Sequence, residues 1–186
     1  PYYSIGLRVV VKGQNAFSRV TGITPQYQDA FNLQIAEGDF ISEQQYQSGI
    51  PVALLGSRVK QWLFPEDSDD AVVGQTIRVG QINVRVAGVL QSKGEAIMGS
   101  ADYSLLMPLT ALQRAIAQPK TNRGERIMSS IVVSVADQRQ SGSVINEISR
   151  LLRYRHQLAD GQEDDFTVTS QEDIVKALSQ AMASMT

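Results

Sequence analysis

The chain has 186 residues, of which 42% are hydrophobic and 19% are charged, and its formal net charge is −2 at pH 7. This composition provides enough apolar residues for a core and differs from that of disordered chains. The lack of a positive balance argues against nucleic-acid binding, and the absence of cysteine excludes disulfides, thiol nucleophiles and cysteine-ligated zinc within this sequence. The length slightly exceeds that of a common domain, which favours one domain with two subdomains.

The first 45 residues show strand signals followed by a short helix. β-Branched and other apolar residues predict strands at 7–11 and 17–23, with a turn-rich cluster at 12–15 between them. Apolar residues then recur at helical spacing over 27–33, which predicts a short helix. Gly38 is expected to close this helix as its C-terminal cap.

The middle of the chain begins with a buried strand and a helix. Residues 52–55 form a fully apolar run after a proline, which is typical of a buried strand. Ser57 is expected to cap a helix that ends before Pro65. One face of this helix is predicted to be apolar and to carry Val59, Trp62 and Leu63.

The clearest local pattern predicts a β-hairpin over residues 77–86. Apolar and polar side chains alternate on both sides of Gly80 and Gln81. A two-residue loop that begins with glycine favours a type II′ turn. The resulting register pairs Val79 with Ile82 and Ile77 with Val84 on one face of the hairpin.

The next segment is predicted to contain a loop, a strand and a helix. Residues 92–102 include glycines and show no periodicity, so they are interpreted as a loop. A strand is predicted at 103–107. Thr110 is expected to cap the following helix, with Gln113 completing a capping box.

The last 60 residues are predicted to contain two longer helices and two short strands. The strands are expected at 131–135 and 166–168. An amphipathic helix is predicted from Val144 to Leu158. Ser170 and Asp173 are expected to cap a final helix that carries periodic apolar residues to the end of the chain.

No catalytic constellation can be assembled from these residues. His156, the only histidine in the sequence, lies at a predicted helix end among arginines, where the helix dipole favours an exposed cationic side chain. Ser57 and Lys60 match the short serine–lysine pattern of some acylases, but the partner motifs of that class do not occur in the sequence. A helix cap followed by a surface lysine explains the match. We therefore predict no catalytic residue.

No cofactor or metal site is predicted either. Residues 93–100 superficially resemble a phosphate-binding loop, but the required lysine directly before Ser or Thr is missing. Met182 and Met185 are interpreted as core residues rather than adaptable partner contacts. Four carboxylates lack the spacing and central glycine of a calcium loop, and we interpret them as a solvated acidic loop. They are Asp160, Glu163, Asp164 and Asp165.

Both ends of the chain are typical of a piece of a longer protein. The sequence begins with Pro1 rather than Met, and no Gly or Pro follows the periodic residues of the final helix. We therefore expect that helix to continue in the parent protein. No apolar run approaches the roughly 20 residues of a membrane span, and no signal peptide is visible. Any membrane attachment is expected to lie outside these residues.

A series of short motifs occurs at residues 20–27, 38–43, 52–56, 63–64, 73–77, 86–89, 102, 107–110, 151–156 and 165–168. The order of these motifs resembles the extracytoplasmic domain of MacB/FtsX-type ABC-transporter permeases. The resemblance extends over nearly the whole chain. The family usually has an arginine directly after the glycine that corresponds to Gly38. This chain has Asp39 at that position, which removes a local contact but no catalytic group.

The resemblance implies a location and a fold. The domain of this family lies between the first and second transmembrane helices, outside the cytoplasmic (inner) membrane. Its fold is α+β, with a porter-like strand–helix–strand subdomain built from both chain ends and a mixed α/β subdomain inserted in the middle. The resemblance places the porter-like subdomain at 1–45 and 128–186, and the inserted subdomain at 46–127.

The resemblance also implies a function and partners. The domain is expected to be non-catalytic, to hold no cofactor, and to couple cytoplasmic ATP hydrolysis to export or envelope work. The implied partners are a second permease copy, an ATPase domain or subunit, and, in a Gram-negative cell, a periplasmic adaptor with an outer-membrane channel. No nucleic-acid partner is expected.

Other functional hypotheses remain open from the sequence. A ligand-capturing extracytoplasmic domain needs a concave site, for which residues 92–102 are the candidate rim. A permease of the same superfamily could instead extract lipoproteins or activate a cell-wall hydrolase. An enzyme is the least favoured hypothesis because no acid–base pair can be named.

Overall fold

The computed structural model of the protein describes residues 1–94, 101–116, 120, 124 and 126–183. The chain divides into two compact units, Pro1–Val132 and Val133–Thr186. The strands of the first unit are β1 (Tyr3–Val11), β2 (Gln14–Ile23), β3 (Ile35–Gly38), β4 (Val52–Leu55), β5 (Thr76–Val79), β6 (Ile82–Leu90) and β7 (Ser104–Pro108). Its helices are α1 (Tyr27–Ala30), α2 (Glu43–Ser48), α3 (Ser57–Leu63), α4 (Asp69–Val72) and α5 (Leu109–Ala115), with a 3₁₀ turn at Ala101–Tyr103.

The strands of the first unit form a sheet that closes on itself. Their order is β3-β6-β4-β7-β2-β1-β5, and β5 also pairs with β6. Six strands therefore make a closed ring, and β3 is attached to it through β6. The pairs β2–β7 and β4–β6 are parallel, whereas the other pairs are antiparallel. Closure leaves few free strand edges, so the ring is expected to be rigid and resistant to edge-to-edge association.

Two tight hairpins fix the register of four of these strands. The predicted hairpin of β5 and β6 is confirmed, with Ile77 opposite Val84 and Val79 opposite Ile82. Gly80 has a φ of 58°, the positive value that the first residue of a type II′ loop requires. Strands β1 and β2 are longer than predicted and pair along their whole length, from Tyr3↔Gly22 to Val11↔Gln14.

The turn between β1 and β2 is shorter than the predicted cluster at 12–15. It consists of Lys12 and Gly13, whose φ angles are 46° and 82°. Positive φ at both loop residues is the geometry of a type I′ turn, whose twist matches that of the flanking strands. The remaining residues of the cluster, at 14 and 15, therefore extend β2.

Two apolar clusters lie on opposite faces of the central strands. Within β4, Ala53 and Leu55 belong to one cluster, whereas Val52 and Leu54 belong to the other. All four side chains are buried, as predicted for a strand covered on both faces. The first cluster includes buried residues from all six ring strands and from α3 and α5, among them Val9, Val20, Val59, Ile77, Val86, Leu105 and Leu112. The second lies between the sheet and the 24–50 connection and comprises Ile23, Leu33, Ile41, Val52, Leu54, Leu90 and Leu106.

The second unit is helical and has no fully buried residue among those described. It contains a 3₁₀ turn at Gln138–Gln140 and the helices α6 (Ser141–His156) and α7 (Gln171–Ala183). The predicted cap of α7 is confirmed, because the Ser170 hydroxyl accepts from the backbone N–H of Asp173 at 3.1 Å. The hydroxyl and backbone N–H of Ser170 donate in turn to the Asp173 carboxylate, which lowers the pKa of that carboxyl.

Two predicted strands near the C-terminus are wrong. Residues 131–135 and 166–168 are extended or irregular but do not pair as strands. An isolated bridge between Tyr2 and Ser130 ends one residue before the first of these segments. β-Branched composition favours an extended backbone, but a strand also needs a neighbour that supplies hydrogen bonds.

Three helix-end predictions are wrong in detail. Gly38 does not close a helix: α1 ends eight residues earlier, and Gly38 ends β3 with a φ of 83°. A Cβ at Gly38 would lie 2.3 Å from the carbonyl oxygen of Ala87, so this glycine permits close strand pairing. The N-cap of α3 is Gly56, not Ser57. Thr110 lies inside α5, where its hydroxyl donates to the Tyr46 carbonyl instead of capping the helix.

The observed architecture is a mixed α/β fold. The strands of residues 1–45 and of residues 46–127 belong to one sheet. The predicted division into a discontinuous porter-like subdomain and an insertion stays a prediction for the intact protein. None of the described helices has both the length and the apolar character that crossing a membrane requires.

Candidate functional surface

The loop at 92–102 is fixed at its base by a buried carboxylate. Asp102 is 3% exposed and accepts from the Ser92 hydroxyl at 3.0 Å and from the Lys93 backbone N–H at 3.2 Å. The Lys93 ammonium donates to the Phe31 carbonyl at 2.6 Å. These bonds hold both ends of the loop against the second apolar cluster. The centre of the predicted rim, residues 95–100, lies outside the described residues.

The same geometry argues against a phosphate site at the start of this loop. A phosphate loop offers free backbone N–H groups to an anion. Here the N–H of Lys93 already binds the Asp102 carboxylate, and the N–H of Gly94 binds the Ser92 hydroxyl at 3.3 Å. A second anion would also be repelled by Asp102. The described part of this motif is therefore arranged as a loop anchor.

Ser57 and Lys60 do not form a nucleophile–base pair. The Ser57 hydroxyl is buried and has no hydrogen-bond partner among the described residues. The Lys60 ammonium donates to the backbone carbonyl of Asp67 at 2.5 Å. Activation of a serine requires a base within hydrogen-bond reach, and the described geometry does not provide this contact.

The acidic segment after α6 folds back onto the end of that helix. His156 and Asp165 are joined through Nδ1 and Oδ1 at 2.6 Å, and the His156 ring meets Phe166 edge-on with centroids 5.6 Å apart. Arg153 binds the Asp164 carboxylate and also donates to the carbonyls of Ala159 and Gln162. These contacts hold residues 158–166 against the end of α6, and we call this segment the helix clasp. Two of the four predicted acidic-loop carboxylates thus pair with basic side chains of α6.

Metal binding finds no support in the described geometry. No group of three or more His, Cys, Asp or Glu side chains among the described residues is placed to hold a metal ion. Asp160 and Glu163 are exposed and lie on the same segment as the helix clasp. The side chain of Met182 and the whole of Met185 lie outside the described residues, so both remain interpreted from sequence alone.

Several large apolar side chains of the first unit are exposed. Trp62 was predicted to lie on the buried face of α3, but it is 48% exposed and packs on Tyr103 at 5.7 Å between ring centroids. Val59 and Leu63 of the same helix are buried as predicted. Helical spacing alone could not distinguish the exposed residue 62 from the buried residues 59 and 63, because residue 62 lies at the edge of the apolar stripe. Phe17 of β2 is 76% exposed and was not identified from the sequence.

The first unit therefore presents exposed aromatic positions, and no acid–base–nucleophile set is assembled among the residues that the structure describes. Such a surface can bind another macromolecule, because exposed aromatic residues are enriched at protein interfaces.

Comparison with known proteins identifies the family. The sequence model of the MacB-like periplasmic core domain matches residues 1–151. The chain is 30% identical over 173 residues to the macrolide export ATP-binding/permease protein MacB of Bdellovibrio bacteriovorus, covering 92% of this chain and 25% of that protein. It is 34% identical over 160 residues to the protein of the same name from Nitrobacter winogradskyi, covering 85% of this chain and 23% of that protein.

Solved structures share the fold. The periplasmic region of MacB from Actinobacillus actinomycetemcomitans matches with a TM-score of 0.74 at 20% identity, covering 96% of this chain and 74% of that one. The extracellular domain of the transporter YknZ from Gram-positive bacteria matches with a TM-score of 0.70 at 20% identity, covering 91% of this chain and 79% of that one. The chain spans about a quarter of the length of the curated relatives it matches. It belongs to the family of MacB-like periplasmic core domains.

Proposed function

We propose that the chain is the extracytoplasmic domain of an ABC-transporter permease and that it couples ATP hydrolysis in the cytoplasm to work outside the membrane. The observation that carries this proposal is the family match over residues 1–151, together with the fold shared with MacB periplasmic regions. The relatives are named as ATP-binding/permease proteins, and the chain spans only about a quarter of their length. ATP hydrolysis therefore belongs to another part of the intact transporter.

Coupling of this kind requires a unit that moves without deforming. The first apolar cluster joins all six ring strands to α3 and α5, so displacement of one strand is transmitted to the others. Close-packed interiors resist small deformations and transmit strain. The unit can therefore convert motion of attached transmembrane helices into pressure on a partner or on a substrate.

The proposal includes partners and excludes catalysis in this domain. The partners are a second permease copy, an ATPase domain or subunit, and, in a Gram-negative envelope, a periplasmic adaptor with an outer-membrane channel. The relatives are named as macrolide export proteins, so macrolide export is the first transport activity to test. The absence of a catalytic residue or cofactor in this domain stays a prediction, supported by the bonds that already engage Lys60 and His156.

The extracytoplasmic placement can be tested by cysteine labelling, because this chain contains no cysteine of its own. In a full-length protein without other cysteines, Trp62→Cys is expected to react with a membrane-impermeant maleimide while the cytoplasmic membrane is intact. Val59→Cys, on the same helix but fully buried, serves as the matched control and is expected to react only after unfolding. Labelling of Trp62→Cys only after the cytoplasmic membrane is broken would contradict the placement.

A further inference from the structure

The β1–β2 hairpin has a charge opposite to that of the chain as a whole. Residues 1–28 contain Arg8, Lys12 and Arg19 and no Asp or Glu, although the formal net charge of the chain is −2. Lys12 is neutralised locally, since its ammonium lies 3.5 Å from the Asp67 carboxylate and 6.0 Å from the centroid of the Phe64 ring. The two arginine side chains have no such partner: neither guanidinium makes a hydrogen bond or ion pair in the described part of the chain.

The two arginines lie on the same face of the hairpin with an exposed aromatic ring between them. Arg8 is directly opposite Phe17, and Gly6 is directly opposite Arg19. Because side chains alternate along a strand, these four residues share the face that points away from the first apolar cluster, to which Val9 and Val20 belong in the same strands. Both arginines are exposed, and Phe17 is 76% exposed.

The Phe17 ring is held in place from below. A Cβ at Gly6 would lie 2.5 Å from the Cζ of Phe17, so the ring lies directly over this glycine. The backbone beneath it is a ladder of nine residue pairs closed by a tight turn. The Phe17 ring on such a support loses little conformational entropy on binding, which favours an effective interface.

We propose that this face, formed by Gly6, Arg8, Phe17 and Arg19, binds an acidic surface of a partner protein, with Phe17 inserted in an apolar recess of the partner. Arginine and aromatic side chains are the types that dominate the energetics of protein interfaces. Unpaired guanidiniums beside an exposed ring are complementary to carboxylates around an apolar patch. The inference rests on the proposed function only for the existence of a partner outside the membrane.

The test is photocross-linking in cells that produce the full-length transporter. Phe17 is replaced by the photoreactive analogue p-benzoylphenylalanine, and the captured peptide is identified by mass spectrometry. We expect a peptide of another protein in which Asp or Glu residues surround the attachment point. The double substitution R8E/R19E is expected to reduce the adduct about tenfold or more, since it places like charges at the contact. Exchange of the partner's mapped carboxylates for lysine is expected to restore it.

The control is R150E/R155E, which reverses two exposed arginines of α6 and should leave the adduct unchanged. Thermal unfolding of both double variants shows whether the fold is retained. The proposal is overturned by an adduct on a second copy, on another segment of the same chain or on lipid, by an adduct insensitive to R8E/R19E, and by no adduct at all. ATP hydrolysis and export are measured in parallel, so that loss of the contact and failure of the coupling proposal can be distinguished.

Discussion

Tyr27 lies at the centre of a small aromatic group on the second apolar cluster. Its ring stacks on Phe31 with centroids 4.2 Å apart and meets Tyr2 edge-on at 5.6 Å. Burial, reinforced by the neighbouring phenol of Tyr2 and partly offset by Arg19, raises the pKa of Tyr27 to about 12 from an ordinary value of 10.0. The folded state therefore favours the neutral phenol.

This pKa predicts a defined loss of stability at alkaline pH. A group with a raised pKa contributes fully below the pKa of the unfolded chain, so stability should fall as pH rises from 10 towards about 12. Tyr27→Phe should remove that part of the pH dependence, as measured by urea unfolding across this range. Tyr154→Phe, at an exposed phenol, should leave the wild-type pH dependence in place. Equal slopes for Tyr27→Phe and wild type between pH 10 and 12 would show that the Tyr27 pKa is not raised.

Replacement of glycine by alanine is expected to have opposite effects on stability at two positions. A Cβ at Gly56 would lie 2.1 Å from the Ala101 carbonyl oxygen and 2.4 Å from that of Asp102, so Gly56→Ala must displace the backbone that anchors the 92–102 loop. We expect a loss of about 2–4 kcal/mol in the free energy of unfolding, measured in urea. At Gly142 in α6 a Cβ meets nothing within 4 Å, and Gly142→Ala should strengthen the helix by up to about 1 kcal/mol, measured by hydrogen exchange. A neutral Gly56→Ala would contradict the described loop anchor.

At the scale of elements, Arg153 makes three of the contacts that hold the helix clasp. Arg153 binds two backbone carbonyls and a carboxylate of the clasp, whereas Arg155 is exposed and is bonded to none of the described clasp residues. Arg153→Ala is therefore expected to increase amide hydrogen exchange across residues 158–166 several-fold, by removing charge-assisted bonds. Arg155→Ala, two residues away on the same helix, should leave that exchange unchanged. If both variants behave alike, the clasp is not held by the Arg153 contacts.

Elements whose signals are local were predictable from the sequence. The β5–β6 hairpin was predicted with the correct register because alternation and the Gly80 loop occur within ten residues. The strand signal at 131–135 is equally rich in β-branched residues, but no neighbouring strand pairs with it in the described residues. Gly38 shows a related ambiguity, since a glycine with positive φ is compatible with a helix cap and with the close strand contact that the structure contains.

At the scale of the whole molecule, closure of the sheet could not be predicted. It depends on the pairing of β1 with β5 and of β2 with β7, strands that are far apart in sequence. Periodicity reports which face of a strand is buried but not which strand lies beside it. The face formed by Arg8, Phe17 and Arg19 was not recognised for a different reason: the turn was predicted at 12–15, whereas the observed turn at Lys12 and Gly13 sets the β1–β2 register.

The family could be recognised from the sequence, whereas the absence of catalysis could only be predicted. The structure places Lys60 and His156 in unrelated contacts, and the absence of a catalytic residue stays a prediction. The motif order resembled the permease family, and the family match over residues 1–151 confirms that recognition. The coupling role itself is a property of the intact transporter and needs a measurement on it.

That measurement compares ATP hydrolysis with export in the full-length transporter, with and without residues 1–186. In the deletion variant a short flexible linker replaces the domain, ATP hydrolysis is measured on purified protein, and export is measured as macrolide accumulation in cells. If the domain couples hydrolysis to work outside the membrane, the variant should still hydrolyse ATP while export falls to the level of cells lacking the transporter. Export at the wild-type rate from a variant without the domain would contradict the coupling role.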